Sequence, residues 1–171
     1  MSRSESYSDA AAVRLTSWRQ VALATIIAGP FAAVAEMVIV LPIQARLGAS
    51  PERVFQSIAF GALGRAAFHE GLGSALLGVF FHLLISVVAA GLYAAAAVRR
   101  PILLNNPVLG GILYGAACYV FMTFVVIPLS AIGFQLSKSP VLLAMSIAVH
   151  LFAFGLPLAL AVTASIRRLR Q

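Results

Sequence analysis

The sequence predicts an all-α membrane protein, a four-transmembrane-helix up-down bundle with a short interfacial amphipathic helix between its first and second spans. The first observation behind this prediction is composition. Of the 171 residues, 61% are hydrophobic and only 10% are charged, and the mean hydropathy is +1.00. A soluble globular chain is closer to half apolar and a quarter charged. The second observation is four long apolar runs, which predict that lipid surrounds the folded chain.

The elements follow in order along the chain. Residues 1–18 are rich in Ser and charge and have no apolar period, which predicts a loose N-terminal tail, helical at most near its end. A transmembrane domain over 19–166 and a basic C-terminal tail over 167–171 come next. Each apolar run exceeds the roughly 20 residues needed to cross a ~30 Å hydrocarbon core. Helices are the only open-chain structures that satisfy their backbone in lipid. The predicted spans are 21–43, 71–98, 107–130 and 141–166.

The long link between the first and second spans contains a predicted helix start. Ser50 is a favourable N-cap, and Pro51 fits the first helical position. An apolar face then follows at helical spacing, made of Val54, Phe55, Ile58 and Ala62. This pattern favours a short amphipathic helix at the membrane interface. An ordinary structured loop is the alternative.

The distribution of cations predicts the orientation, because cytoplasmic flanks carry an excess of Lys and Arg. Eight cations lie in the tails and in the link between the second and third spans: Arg3, Arg14, Arg19, Arg99, Arg100, Arg167, Arg168 and Arg170. Four lie on the other side: Arg46, Arg53, Arg65 and Lys138. Both termini are therefore predicted to be cytoplasmic, with Trp18 and Tyr93 near the cytoplasmic interface.

Glu36 is the most informative single residue. It lies inside the first predicted span, seven residues before its end, which is roughly 10 Å deep at 1.5 Å per residue. An ionised carboxylate facing lipid at that depth is very unfavourable, so Glu36 must be protonated, paired or facing a wet cavity. One interpretation is a carboxylate that handles a proton or a ligand. The other is a protonated side chain that hydrogen-bonds between helices and only stabilises the bundle.

His82 and His150 form the second candidate pair. The second and fourth helices run in the same direction, so both imidazoles are predicted to lie at one depth near the midplane. Level histidines on diagonal helices of a bundle would suit a bis-histidine haem b, with Gly29 and Gly115 leaving room for the macrocycle. The plainer interpretation is a buried polar cluster of Glu36, His82, Ser86, Ser146 and His150. A metal site or a proton relay is the third.

Small residues indicate where the helices pack closely. Gly111 and Gly115 form a Gly-x-x-x-Gly motif, which predicts close contact inside the bundle or in a dimer. Gly29 and Gly78 are the other candidates for close packing.

Several function classes find no support in the sequence. The cations flank apolar runs and form no basic helix face, so the net charge of +7 does not indicate a nucleic-acid partner. Cys118 is the only cysteine, which excludes an intrachain disulfide, and no metal site is predicted. Motifs of nucleophilic hydrolases, phosphate-binding loops, zinc peptidases and dinucleotide enzymes are lacking, so no catalytic residue is assigned and an enzyme is disfavoured.

From His82 to His150 the chain resembles a family of small, uncharacterised bacterial four-span inner-membrane proteins. The residues that carry this resemblance are Pro107-Val108-Leu109, Gly111, Leu113-Tyr114-Gly115, Tyr119, Met122, Val125-Val126, Pro128-Leu129-Ser130 and His150. The resemblance implies a bacterial inner membrane as the setting and supplies no activity.

The sequence thus leaves three functional hypotheses, all with the lipid bilayer as the surroundings. The leading one is an accessory or structural component of a membrane assembly, whose partners are other membrane subunits or further copies of the chain. The second is a b-type cytochrome with His82 and His150 as haem ligands. The third is a small proton-coupled transporter or channel that uses Glu36.

Overall fold

The computed structural model describes residues 3–169, with side chains from Trp18 onward. A 3₁₀ turn, Gly64–Phe68, follows the second helix, and π-helical segments join the fifth helix to the sixth (Met122–Val126) and the seventh to the eighth (Val149–Gly155). The helices are α1 Arg3–Arg46, α2 Pro51–Leu63, α3 Leu72–Arg99, α4 Pro101–Asn105, α5 Pro107–Phe121, α6 Ile127–Leu129, α7 Pro140–Ala148 and α8 Leu156–Arg168.

Within the described residues, four helical stretches are long and apolar enough to cross a bilayer, and the chain is an integral membrane protein with multiple spans. The predicted helical bundle is thereby confirmed. Within each stretch the side chains that face outward are mainly apolar, as lipid contact requires. The four stretches are span 1 Trp18–Arg46, span 2 Leu72–Arg99, span 3 Pro107–Leu129 and span 4 Pro140–Arg168.

Two features of the helices differ from the sequence prediction. Helix α1 begins at Arg3, where a loose tail was expected. A helix that is already nucleated in a span extends at little cost into residues with good helix propensity such as Ala10–12. The two π-helical segments each end shortly before a proline, Pro128 and Pro157. A proline has no N–H to donate, so the preceding turn changes its hydrogen-bond register.

The helices pack in the order span 2, span 1, span 4, span 3, with spans 1 and 4 in the middle. At the end of the bundle nearest the chain termini the core is tight and built mainly of alanine together with Leu158, Val162 and Ile166. Tyr93, expected near the interface, is only 2% exposed and packs edge-on against Tyr114 in this core. The half of the bundle at the termini is therefore closed.

Helix α2 forms as predicted, with Pro51 as its first residue. The Ser50 side chain accepts a hydrogen bond from the Arg53 backbone N–H at 3.2 Å. Its buried face differs from the predicted one, because Gln56 is buried and Ala62 is exposed. Gln56 Nε2 donates to the carbonyl oxygen of Gly71 at 3.1 Å, which ties α2 to the start of span 2.

At its other end, α2 reaches the loop after span 3. The Ala131 N–H donates to the carbonyl oxygen of Gly61 at 2.9 Å. Helix α2 therefore extends from span 2 to the end of span 3, across the end of the bundle that is opposite the termini.

Candidate functional site

Spans 2 and 3 diverge and leave a cavity of about 720 Å³ between them. The backbones of α3 and α5 make few close approaches, whereas spans 1 and 2, spans 1 and 4, and spans 3 and 4 pack closely. The mouth of the cavity lies between spans 2 and 3, where the lining residues Leu84, Val88 and Phe121 are exposed. Near the closed core, the Tyr114 hydroxyl donates to the carbonyl oxygen of Ala89 at 2.7 Å and connects the two spans.

Glycines allow spans 1 and 2, and spans 3 and 4, to pack closely. A Cβ at Gly29 would lie 2.7 Å from Val87 Cα in span 2. A Cβ at Gly111 would lie 2.8 Å from the Gly155 carbonyl oxygen in span 4. Contacts this short are possible only without a side chain. The Gly-x-x-x-Gly pair therefore packs inside the bundle, against span 4.

Two further glycines sit at equally close approaches. A Cβ at Gly115 would collide with the carbonyl oxygen of His150, and one at Gly78 would collide with that of Phe55 in α2. Gly155, which sequence reasoning did not single out, faces Gly111 and Gly115 from span 4. The only sequence signal for Gly155 was a small residue within an apolar span.

The cavity brings together four of the residues predicted to form a polar cluster: Glu36, His82, Ser86 and His150. Ser86 is 1% exposed, and its hydroxyl has no hydrogen-bond partner among the described residues. Ser146 lies elsewhere, because its side chain is exposed. Only its backbone carbonyl takes part, by accepting a hydrogen bond from His150.

Glu36 and His82 form an ionisable pair in the cavity lining. Glu36 Oε2 lies 3.9 Å from His82 Nε2, and the two side chains are 14% and 12% exposed. His82 Nε2 is 3.1 Å from the carbonyl oxygen of Ala33. A carbonyl can only accept, so this nitrogen carries a proton. The Glu36 carboxyl itself has no hydrogen-bond partner within the part of the chain that the structure describes.

His150 lies ten residues into span 4, and His82 lies ten residues into span 2, so the predicted common depth fits the helix bounds. The π-helical segment Val149–Gly155 carries His150. Its Nδ1 donates to the Ser146 carbonyl oxygen at 2.9 Å, and its ring packs edge-on against Tyr119 at 5.3 Å between centroids. Nε2 of His150 is then the nitrogen with a free lone pair.

Sequence reasoning missed several polar residues of the cavity. They come from three elements of the lining: Gln44 from span 1, Ser57 from α2, and Tyr114 and Cys118 from span 3. Gln44 alone had a usable signal, because it follows Glu36 and Val40 at four-residue spacing on one helix face. The others are distant in sequence and meet only through packing.

The bis-histidine haem stays a prediction. Axial ligation needs a nitrogen lone pair from each imidazole. His82 Nε2 donates to the carbonyl oxygen of Ala33, which leaves the lone pair of a neutral His82 on Nδ1. Neighbouring backbone fills the space at Gly29 and Gly115 that was expected to hold the macrocycle. Among the side chains that the structure describes, residues 18–169, no group of three His, Cys, Asp or Glu is placed to hold a metal ion.

Comparisons with protein-family models, with curated proteins and with solved structures found no match for the chain. The resemblance to a bacterial four-span family therefore stays a prediction. The site is an apolar intramembrane cavity lined by a carboxyl group from span 1 and an imidazole from span 2, 3.9 Å apart.

Proposed function

We propose that this membrane protein is a small proton-coupled transporter with Glu36 as its titrating group. One observation carries the proposal: a carboxyl group without a hydrogen-bond partner lines a cavity large enough for a small molecule, inside the membrane-spanning bundle. Ligand pockets in proteins have volumes of roughly 300–1,000 Å³, are mostly apolar and contain a few placed polar groups. Ionisable groups at membrane depth commonly mark substrate or proton pathways.

The coupling follows from the cost of a buried charge. While the cavity holds only apolar groups such as lipid tails, the neutral carboxylic acid is the stable form of Glu36. A ligand that offers a positive charge or strong hydrogen-bond donors stabilises the carboxylate instead. Ligand binding and proton release are then linked, and His82, 3.9 Å away, is the nearest group able to take part in the proton's path.

The experiment is a proton-flux measurement on the purified protein in liposomes. We expect wild-type flux in the Glu70→Gln variant, because Glu70 is exposed and lies outside the cavity. We expect flux to be lost in Glu36→Gln, which keeps the shape of the side chain but cannot ionise. Equal flux in Glu36→Gln and wild type would remove Glu36 from the mechanism.

A second candidate function is the accessory or structural subunit of a membrane assembly. It is favoured by the outer surface of span 3, where 11% of the residues in the apolar window are buried within the chain, compared with 22–28% in the other spans. An apolar face with so little burial within the chain leaves room for van der Waals packing against the helix of another subunit. Stoichiometric subunits that co-purify in mild detergent would support it, and a clean monomer or homodimer would count against it.

For the setting, we propose the bacterial inner membrane with both termini in the cytoplasm. The excess of cations on the side of the termini supports the orientation, and the family resemblance supports the membrane.

A further inference from the structure

We propose that the cavity binds hydrophobic organic cations, such as quaternary phosphonium ions or protonated lipophilic amines, with the Glu36 carboxylate as counter-ion. This inference rests on the proposed function and names its substrate class. Three features of the cavity support this inference: its charges, its aromatic lining and its depth in the membrane.

The charge of the lining selects the sign of the ligand. Among the described residues that line the cavity there is one carboxyl group, Glu36, and no Lys or Arg. The other titratable groups that face Glu36 across the cavity are His82, Tyr114, Cys118 and His150. An anionic head group would meet no fixed positive charge there, whereas a cation would pair with the Glu36 carboxylate, whose nearest ionisable neighbour is His82 at 3.9 Å.

The apolar part of the lining suits a cation with a hydrophobic surface. Three aromatic rings, those of Tyr114, Phe121 and Phe154, line the cavity from two spans. Aromatic faces attract cations, and the attraction strengthens where water is excluded. Most of the remaining lining is aliphatic, from Met37 and Val40 to Leu84, Ile85 and Met122, and it would cover the organic groups of the ligand.

Binding of such a cation has a defined proton balance. The neutral acid gives its proton to the aqueous phase, and the carboxylate that remains pairs with the ligand cation. The net charge of the occupied site then equals that of the empty, protonated one. A buried ion pair is stable in the membrane only when both partners are present, so proton and cation compete for Glu36.

The test uses two ions of the same shape and opposite charge, tetraphenylphosphonium and tetraphenylborate. Their binding to the full chain in lipid nanodiscs of uncharged lipids is measured by equilibrium dialysis, with proton release followed in weakly buffered solution. We expect saturable tetraphenylphosphonium binding with proton release, and much weaker tetraphenylborate binding. Glu36→Gln is expected to weaken phosphonium binding by about tenfold or more, whereas Glu70→Gln leaves it unchanged.

Cys118 gives a second readout that needs no change at Glu36. It is the only cysteine and lies in the cavity lining, partly exposed. Tetraphenylphosphonium is expected to slow the reaction of Cys118 with a membrane-permeant maleimide, and tetraphenylborate is not. Equal protection by both ions, or by neither, would overturn the inference, since the cavity would then hold any apolar chain or none.

Failure here is distinguishable from failure of the proposed function. If neither ion binds but Glu36→Gln still abolishes proton flux, the cation inference is wrong and the proton-coupled function stands. If tetraphenylphosphonium binds without releasing a proton and flux is the same in Glu36→Gln, the site is a cation site and the proton-coupled function is wrong.

Discussion

At the scale of single residues, the glycines of span 3 decide how the bundle closes. Gly115 lies where a Cβ would meet the backbone of His150, so it sets both the distance between spans 3 and 4 and the position of one cavity wall. Gly73, near the start of span 2, has no heavy atom within 4 Å of the place its Cβ would take. The two glycines therefore form a matched pair for measuring the cost of crowding.

We expect Gly115→Ala to lower the free energy of unfolding by about 1–3 kcal/mol, because backbone must move to make room for the methyl group. Gly73→Ala should stay within about 0.5 kcal/mol of wild type, as substitutions in open space do. Denaturation of both variants in mixed micelles, followed by circular dichroism, measures the difference. Equal stabilities would mean that the close approach of spans 3 and 4 is not maintained in solution.

At the scale of elements, α2 is a short helix that packs mainly against span 2. Glycines with positive φ flank it on both sides: Gly48 at 87°, and Gly64 and Gly71 at 62° and 57°. Its Ser50 cap and the Gln56 bond to Gly71 hold it in place across the end of the cavity. Since α2 contributes Val54, Ser57 and Ile58 to the lining, its local stability governs how well that end stays covered.

We therefore expect Ser50→Ala to destabilise α2 by about 1 kcal/mol, the usual cost of a lost N-cap. Amide hydrogens of α2 would then exchange roughly fivefold faster through local opening, while the spans keep their rates. Ser139→Ala is the matched control, because Ser139 caps α7 in the same way, at 3.4 Å from the Leu142 N–H. In that variant the faster exchange should appear at the start of span 4 and leave α2 unaffected.

The sequence predicted all four spans and α2, with span bounds that differ from the structure by three residues or fewer at each end. Long apolar runs determine these elements, and a proline or a capping serine marks several of the starts. The π-helical segments were not predicted, because hydropathy carries no information on hydrogen-bond register. Pro128 and Pro157 were the available signals, and they indicated only a local disturbance of the helix.

The candidate site was predicted in part. Glu36, His82 and His150 stood out because ionisable residues are rare within spans, and the structure places them around one cavity. The cavity itself could not be predicted, since it arises where spans 2 and 3 lack the glycine contacts that bring spans 1 and 2, and spans 3 and 4, close together. Ser146 was also predicted to belong to the polar cluster, because it precedes His150 by four residues, but its side chain is exposed.

At the scale of the whole molecule, the proposed orientation can be tested by chemical labelling. In a Cys118→Ala background, single cysteines are placed at Lys138 and at Asn105, which are exposed at opposite ends of the bundle. We expect an impermeant maleimide to label Lys138→Cys in intact spheroplasts and Asn105→Cys only after lysis. The reverse pattern would show that the cation count misassigns the sides.

The sideways opening between spans 2 and 3 has a consequence for how the protein meets its surroundings. Because Leu84, Val88 and Phe121 border the opening on the lipid side, an acyl tail from the bilayer can enter whenever no other molecule is inside. Every ligand must then displace a phospholipid tail, so the length and unsaturation of the lipid tails would change the apparent affinity of the ligand. The order of apparent ligand affinities would therefore differ between the protein in short-chain detergent and the protein in a native lipid extract.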